Sequence, residues 1–232
     1  MITLNPNNPA LSYLIDELHS GFVNGIYGNA SSGKTTFCLL AAISAIEKNK
    51  KVIYIDTEKS FNIERLKQLA KNKEIIKNFE KTMELLFLLQ PKDFYEQNQQ
   101  ILNIYKSKSS KFFILIIDSI SNLYKLELNK EPKKINSIMA EQIQSLIRIA
   151  RDKDKIVLIT NQVTSDMQNK EFKMIGGKMI KNMCKTIIEL NKMDDRKDLN
   201  EKIKATLIKN LLNEKNIGKN IYFSIKENGI YI

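Results

Sequence analysis

The sequence predicts a three-layer α/β/α fold whose sheet is mostly parallel, with antiparallel strands added toward the C-terminus. Three observations predict it. Short apolar runs alternate with longer amphipathic stretches over the first two thirds of the chain, the pattern of repeated βαβ units. The apolar runs are dense in Ile, Val, Leu and Phe, as strands covered on both faces are. After about residue 184 the amphipathic stretches stop, and strand-like runs follow one another across polar turns.

The elements follow in order. Residues 21–27 read as a strand ending at Gly28, and 35–48 as a helix with Phe37, Leu40, Ala41, Ser44 and Ala45 at helical spacing. Val52-Ile53-Tyr54-Ile55-Asp56 is a strand, 63–71 an amphipathic helix, 85–89 a strand and 93–105 a helix. Residues 112–118 form the most apolar run of the chain and read as a central strand. A long amphipathic helix over 135–151 and a strand over 156–160 come next. Residues 186–190, 203–209, 221–225 and 230–232 are expected to extend the sheet in antiparallel fashion. No repeat, low-complexity tract or linker divides the 232 residues, so a single domain over 1–232 is expected.

Composition narrows the function classes. A hydrophobic fraction of 43% belongs to a chain with a core. No apolar run approaches the roughly 18 to 20 residues that span a bilayer. Residues 1–20 lack a basic start followed by an apolar block, so a cytoplasmic protein without membrane partners is expected. The two cysteines, Cys38 and Cys184, form no CxxC pair, and the single histidine, His19, lies far from both, which is too few ligands for a zinc site. The net charge of +11 comes almost wholly from lysine. It fits a nucleic-acid footprint, and equally a lysine-decorated solvated surface.

The local motifs carry the chemistry. Gly28, Asn29, Ala30, Ser31, Ser32, Gly33, Lys34 and Thr35 match GxxxxGK[ST] at every defined position, with a strand leading in and a helix, continued by Thr36, leading out. Glycines permit a tight turn whose N–H groups point at phosphate oxygens, and the helix start adds its positive dipole end. Lys34 is placed to meet the β- and γ-phosphates, and the Thr35 hydroxyl is a hard oxygen ligand for Mg²⁺. The expected cofactors are ATP and Mg²⁺. Asp118 closes the apolar strand 112–117, where a carboxylate holds Mg²⁺ in P-loop proteins. Glu58 follows the strand ending at Asp56 and is the candidate general base, with Asp56 as its competitor on the same side of the sheet. Gln162 closes the strand after Asp118, where a long amide can hydrogen-bond a γ-phosphate.

These four motifs, in this order, resemble the RecA/RadA recombinase superfamily, most closely the short archaeal paralogues of RadA. Tyr54-Ile55-Asp56-Thr57-Glu58 resembles the strand carrying the family's catalytic glutamate, Ile116-Ile117-Asp118-Ser119 its Walker B strand, and Leu158-Ile159-Thr160-Asn161-Gln162-Val163 its sensor strand. Glu64-Arg65-Leu66 resembles the segment whose arginine stacks on adenine, which makes Arg65 the candidate adenine contact. Gly176-Gly177 and the strands after them resemble the end of the second DNA loop and the C-terminal sheet. The resemblance runs from about Leu11 to the C-terminus. It implies a RecA-like core, a role in homologous recombination and repair, and DNA binding. It further implies weak ATP hydrolysis at most, and an accessory, mediator role beside a RadA-type recombinase.

Three positions depart from the family. Lys59 stands where a glycine usually follows the glutamate, Lys178 stands where RadA carries a histidine, and 210–219 holds neither the Asp nor the Pro of the segment that closes a neighbour's ATP site. Neither a helix-hairpin-helix domain nor the linker that carries the polymerisation motif is expected before Gly28; self-association stays open. The resemblance also places two lysine clusters on DNA loops. Lys125, Lys130, Lys133 and Lys134 fall where the first loop lies, and Lys170, Lys173, Lys178 and Lys181 where the second does. Lysines there would neutralise phosphates, and the lone Phe172 leaves little for base stacking. The competing reading is a KaiC-like regulatory ATPase that forms rings on protein partners. A third has ATP as a conformational ligand of a protein-binding module.

Overall fold

In the computed structural model, residues 3–5, 9–14, 17–70, 79–108, 111–166, 171–193, 202–226 and 229–232 are described. Lys170 and Lys71 lie outside them. The strands are β1 (Thr3–Leu4), β2 (Leu18–His19), β3 (Val23–Gly28), β4 (Val52–Asp56), β5 (Leu86–Leu89), β6 (Ile114–Asp118), β7 (Ile156–Asp166), β8 (Glu171–Met174), β9 (Cys184–Lys192), β10 (Lys202–Asn210), β11 (Asn220–Lys226) and β12 (Gly229–Tyr231). The helices are α1 (Pro9–Leu14), α2 (Lys34–Glu47), α3 (Ile63–Leu69), α4 (Phe79–Met83), α5 (Phe94–Lys106), α6 (Asn122–Glu127), α7 (Pro132–Asp152) and α8 (Gly177–Met183).

Ten strands share one sheet, in the order β12-β11-β10-β9-β3-β7-β6-β4-β5, with β8 paired to β7 off that path. Contacts from β9 through β5 are parallel, and those from β9 out to β12 are antiparallel. The expected three-layer α/β/α, mostly parallel architecture is therefore present. The reason is visible in the alternation of the central strands. Ile114, Ile116, Ile156 and Leu158 pack with α2 and α3 in one core, while Leu115, Ile117, Val157 and Ile159 pack with α5 and α7 in the other. Every residue of β3 and β6 is buried, as a strand with helices on both faces requires. Helix α2 lies under this sheet and is buried from Phe37 to Ile46 on nearly all sides.

Local signals set the helix starts. Asn62 caps α3 by accepting from the Arg65 N–H at 3.0 Å, and Asp93 caps α5 by accepting from the Glu96 N–H at 2.8 Å. Pro132 occupies the first turn of α7, so that helix begins three residues before the expected 135.

Two expectations are corrected. β9, read as the first antiparallel strand, runs parallel to β3, with Gly25 opposite Ile187 and Gly28 opposite Leu190. Apolar patterning identifies a strand but does not encode the direction of its neighbour. The segment 163–185, read as a polar loop, continues β7 to Asp166, returns as β8 with Val163 opposite Met174, and passes through α8 into the start of β9. Among the described residues no helix is long and apolar enough to cross a membrane.

Candidate functional site

The site lies where β3, β4, β6 and β7 end, the edge at which open α/β sheets collect ligands. Alternation aims the side chains. Asp118 continues the Ile114–Ile116 face and Thr160 the Ile156–Leu158 face, so both turn toward α2 and the loop that precedes it. A cavity of about 700 Å³ opens there, lined by 30–36, Glu58, Asp118, Lys125, Gln162, Val163, Ile203 and Ile225.

The loop between β3 and α2 is built for close approach. Gly33 sits at φ 89°, and a Cβ there would meet the Ile225 Cδ1 at 2.3 Å. At Gly28 a Cβ would meet the Leu190 carbonyl oxygen at 2.0 Å. Helix α2 starts without a side-chain cap, so its first N–H groups face the cavity end of the helix. Lys34 is buried, and its Nζ donates to the carbonyls of Gly28 at 3.0 Å and Asn29 at 2.6 Å. Burial lowers the Lys34 pKa, and the Asp118 and Glu58 carboxylates oppose that shift. The Ser32 Oγ is buried without a protein partner, and its hydroxyl can donate to a polyanion held in the loop.

Asp118 is nearly inaccessible. It accepts from the Thr160 hydroxyl and, at 3.0 Å, from the Tyr54 hydroxyl. Burial raises its pKa, while hydrogen bonds from Thr160, Thr35 and Tyr54 pull it back. Thr35 and Asp118 are thus in contact, a hydroxyl and a carboxylate of the hard-oxygen kind that suits Mg²⁺. No cluster of three His, Cys, Asp or Glu side chains that could hold a metal occurs among the described residues. Mg²⁺ bound to phosphates needs only the Thr35–Asp118 pair.

Glu58 and Asp56 part ways. Asp56 is fully buried and accepts from the N–H groups of Ser60 and Phe61 and from Gln90 Nε2, so it orders its own loop. Glu58 lines the cavity, and its Oε1 accepts from Ser119 Oγ at 2.9 Å and Gln162 Nε2 at 2.7 Å. Gln162 also donates its N–H to Ser121 Oγ at 3.1 Å and accepts from the Ile175 N–H at 3.1 Å. One residue therefore touches the acid of the cavity and the end of the β7–β8 hairpin.

The remaining expected residues separate. Arg65 donates to the Lys226 carbonyl at 3.0 Å, next to the cavity-lining Ile225, and does not itself line the cavity. Lys130 pairs with Glu127 and Lys134 with Glu131, each at 2.8 Å on the surface, and Lys133 is exposed. Lys125, grouped with them in the sequence, instead lines the cavity. Lys178 and Lys181 are exposed on α8, and Lys173 lies in β8. Sequence reasoning missed Lys209 of β10, whose Nζ donates to the Lys181 carbonyl at 2.9 Å. Its pKa is lowered by burial first, then by Lys185 and Lys181, so three positive charges gather on this face. It also missed Tyr54 and Thr160; the period-two spacing of Tyr54 from Asp56, and of Thr160 from Leu158, was the available signal.

Comparison with known proteins follows the same geometry. The Rad51 family profile matches residues 10–231. A protein named DNA repair and recombination protein RadB from Methanococcus maripaludis strain C7 is 35% identical over 94% of this chain and 98% of its own length. A protein of the same name from Methanococcoides burtonii is 37% identical over 77% of this chain and 80% of its own. The crystal structure of the RadB recombinase superposes with a TM-score of 0.78 at 30% identity, covering 98% of each chain.

Proposed function

From the premise that the chain belongs to the Rad51 family, with RadB proteins among its relatives, we propose that it is an ATP- and DNA-binding accessory protein of homologous recombination and repair. In this reading it acts as a mediator beside a RadA-type recombinase in the cytoplasm, with weak, DNA-modulated ATP hydrolysis at most. All 232 residues are assigned to one RecA-like domain, a reading supported by ten described strands from both halves sharing one sheet. The observation that carries the reading is Gln162, which holds Glu58 with its side chain and the hairpin end with its carbonyl. The cavity's Glu58 and the lysine-bearing segment thus share a residue.

The residues fit the expected groups. Lys34 and the loop N–H groups would hold the phosphates, and Thr35 with Asp118 would hold Mg²⁺, which supplies charge neutralisation at the phosphate oxygens. Glu58 has one oxygen on Ser119 and Gln162, and its other oxygen is assigned to orient a water. Arg65 holds the β11 wall beside Ile225 and is assigned to the adenine end. Lys178, Lys181, Lys185 and Lys209 are assigned to DNA phosphates.

The test is fluorescence anisotropy of labelled single- and double-stranded DNA, titrated with the protein across a salt series, with and without Mg-ATP. Affinity that falls steeply with salt supports the reading, because phosphate contacts release counterions. Absence of binding at low salt under both nucleotide conditions removes it, and ATP-dependent rings would then favour the KaiC-like ATPase.

A further inference from the structure

Lys125 sits four residues beyond Ser121 on α6, and its N–H donates to the Ser121 carbonyl at 3.0 Å. Residues at i and i+4 share a helix face. The start of α6 is tied to the site three times. Ser121 accepts from the Gln162 N–H, Asn122 Nδ2 donates to the Thr57 carbonyl at 2.9 Å, and the neighbouring Ser119 donates to Glu58. The other side of the helix is fixed in the core by Leu123 and Tyr124, and Tyr124 Oη donates to Asn136 at 2.7 Å. These anchors hold the backbone of α6, and with it the start of the Lys125 side chain, in place beside the site.

Lys125 lines the same cavity as Glu58 and Gln162. Lys130 and Lys134, its neighbours in sequence, carry acidic partners. Among the described contacts Lys125 has none. Lys34 stands at the loop, held on the Gly28 and Asn29 carbonyls. Glu58 in this cavity is already engaged by Ser119 and Gln162, and Asp118 by Tyr54 and Thr160, so the anion left for a second ammonium is the outermost phosphate of a nucleoside triphosphate.

We infer that Lys125 is a terminal-phosphate contact that makes the site prefer nucleoside triphosphate over diphosphate, rather than a DNA contact. The inference rests on the nucleotide-binding reading above. Such a lysine supplies, from within the same chain, a charge that favours the triphosphate-bound arrangement of Gln162 and α6.

The test is displacement of a fluorescent nucleotide from the full chain by Mg-ATP and by Mg-ADP, for wild type, Lys125→Gln and Lys125→Arg. Lys125→Gln is expected to weaken ATP by about tenfold, the scale of one charged hydrogen bond, with ADP within about twofold of wild type. Lys125→Arg is expected to restore most of the ATP affinity. Affinity of Lys125→Gln for DNA without nucleotide is expected to match wild type. Glutamine keeps the helix propensity of an exposed position, so loss of fold is not expected, and circular dichroism checks it. Equal weakening of both nucleotides, no change in either, or loss of nucleotide-free DNA affinity each overturns the inference while leaving ATP binding standing. Absence of ATP and ADP binding by wild type overturns both readings together.

Discussion

The loop 28–36 and the segment 163–185 carry the two halves of the proposed function, and they are built in opposite ways. In the loop three residue types are enforced by neighbours. Gly28 lies against the Leu190 carbonyl, Gly33 against Ile225, and Lys34 is buried on two carbonyls. In the later segment the backbone is organised by strand pairing and α8, while Lys178 and Lys181 stand exposed. The first region has one solution for its side chains. The second needs only positive charge at roughly the right place, which is all that phosphate contacts without sequence preference require.

The comparison is broken most sharply at Lys34. Lys34→Ala is expected to lower ATP affinity about a hundredfold, on the order of 3 kcal/mol for a buried charged contact. DNA affinity without nucleotide should stay unchanged, and calorimetry with anisotropy reads both. Retained ATP affinity would sink the assignment. Gly28→Ala is the next largest change. Its methyl would meet a backbone oxygen at 2.0 Å, so a cost of about 3 kcal/mol and a Tm lower by roughly 5 °C or more are expected by thermal melting.

A pH titration sharpens the same contrast. Burial raises the Asp118 pKa above its ordinary 3.8, so the folded state binds this proton more tightly than the unfolded chain does. The stability it contributes is present at low pH and is lost as pH rises through the folded pKa. Mg²⁺ needs the carboxylate, so Mg²⁺-dependent tightening of ATP binding should grow over that same rise. On acidification it should fade at a higher pH than an ordinary carboxylate would dictate. Asp118→Asn should abolish the Mg²⁺ dependence. The smallest effect is expected at Lys181 or Lys209. Alanine at either should weaken DNA of every sequence alike and reduce the salt slope by about 1. A slope unchanged in both variants would move the DNA elsewhere.

How much could be read in advance follows from the same difference. Gly28, Lys34, Thr35, Asp118 and Glu58 were legible because a steric or chemical demand fixes both type and spacing, and the cavity contains the loop with Glu58, Asp118 and Gln162. The central strands were legible because Ile114 to Ile117 are apolar on two faces. The hairpin was not, since Thr164, Ser165 and Asp166 show no apolar alternation and look like a loop. Helix α8 hid behind Gly176 and Gly177, both at positive φ, which read as a turn rather than a helix start. Nor could charge alone separate Lys125 from Lys130 and Lys134; which way a lysine points is set by helix packing that the sequence does not display.

The place of β3 in the sheet has a consequence for the order in which the protein forms. Its partners are β7 on one side and β9 on the other, both from the second half of the chain. A ribosome that has made the phosphate loop has made neither wall of it. The loop gains its setting only after Leu190 has emerged, and contacts so distant in sequence close slowly. During synthesis, then, the nucleotide site is among the last parts of the molecule to exist.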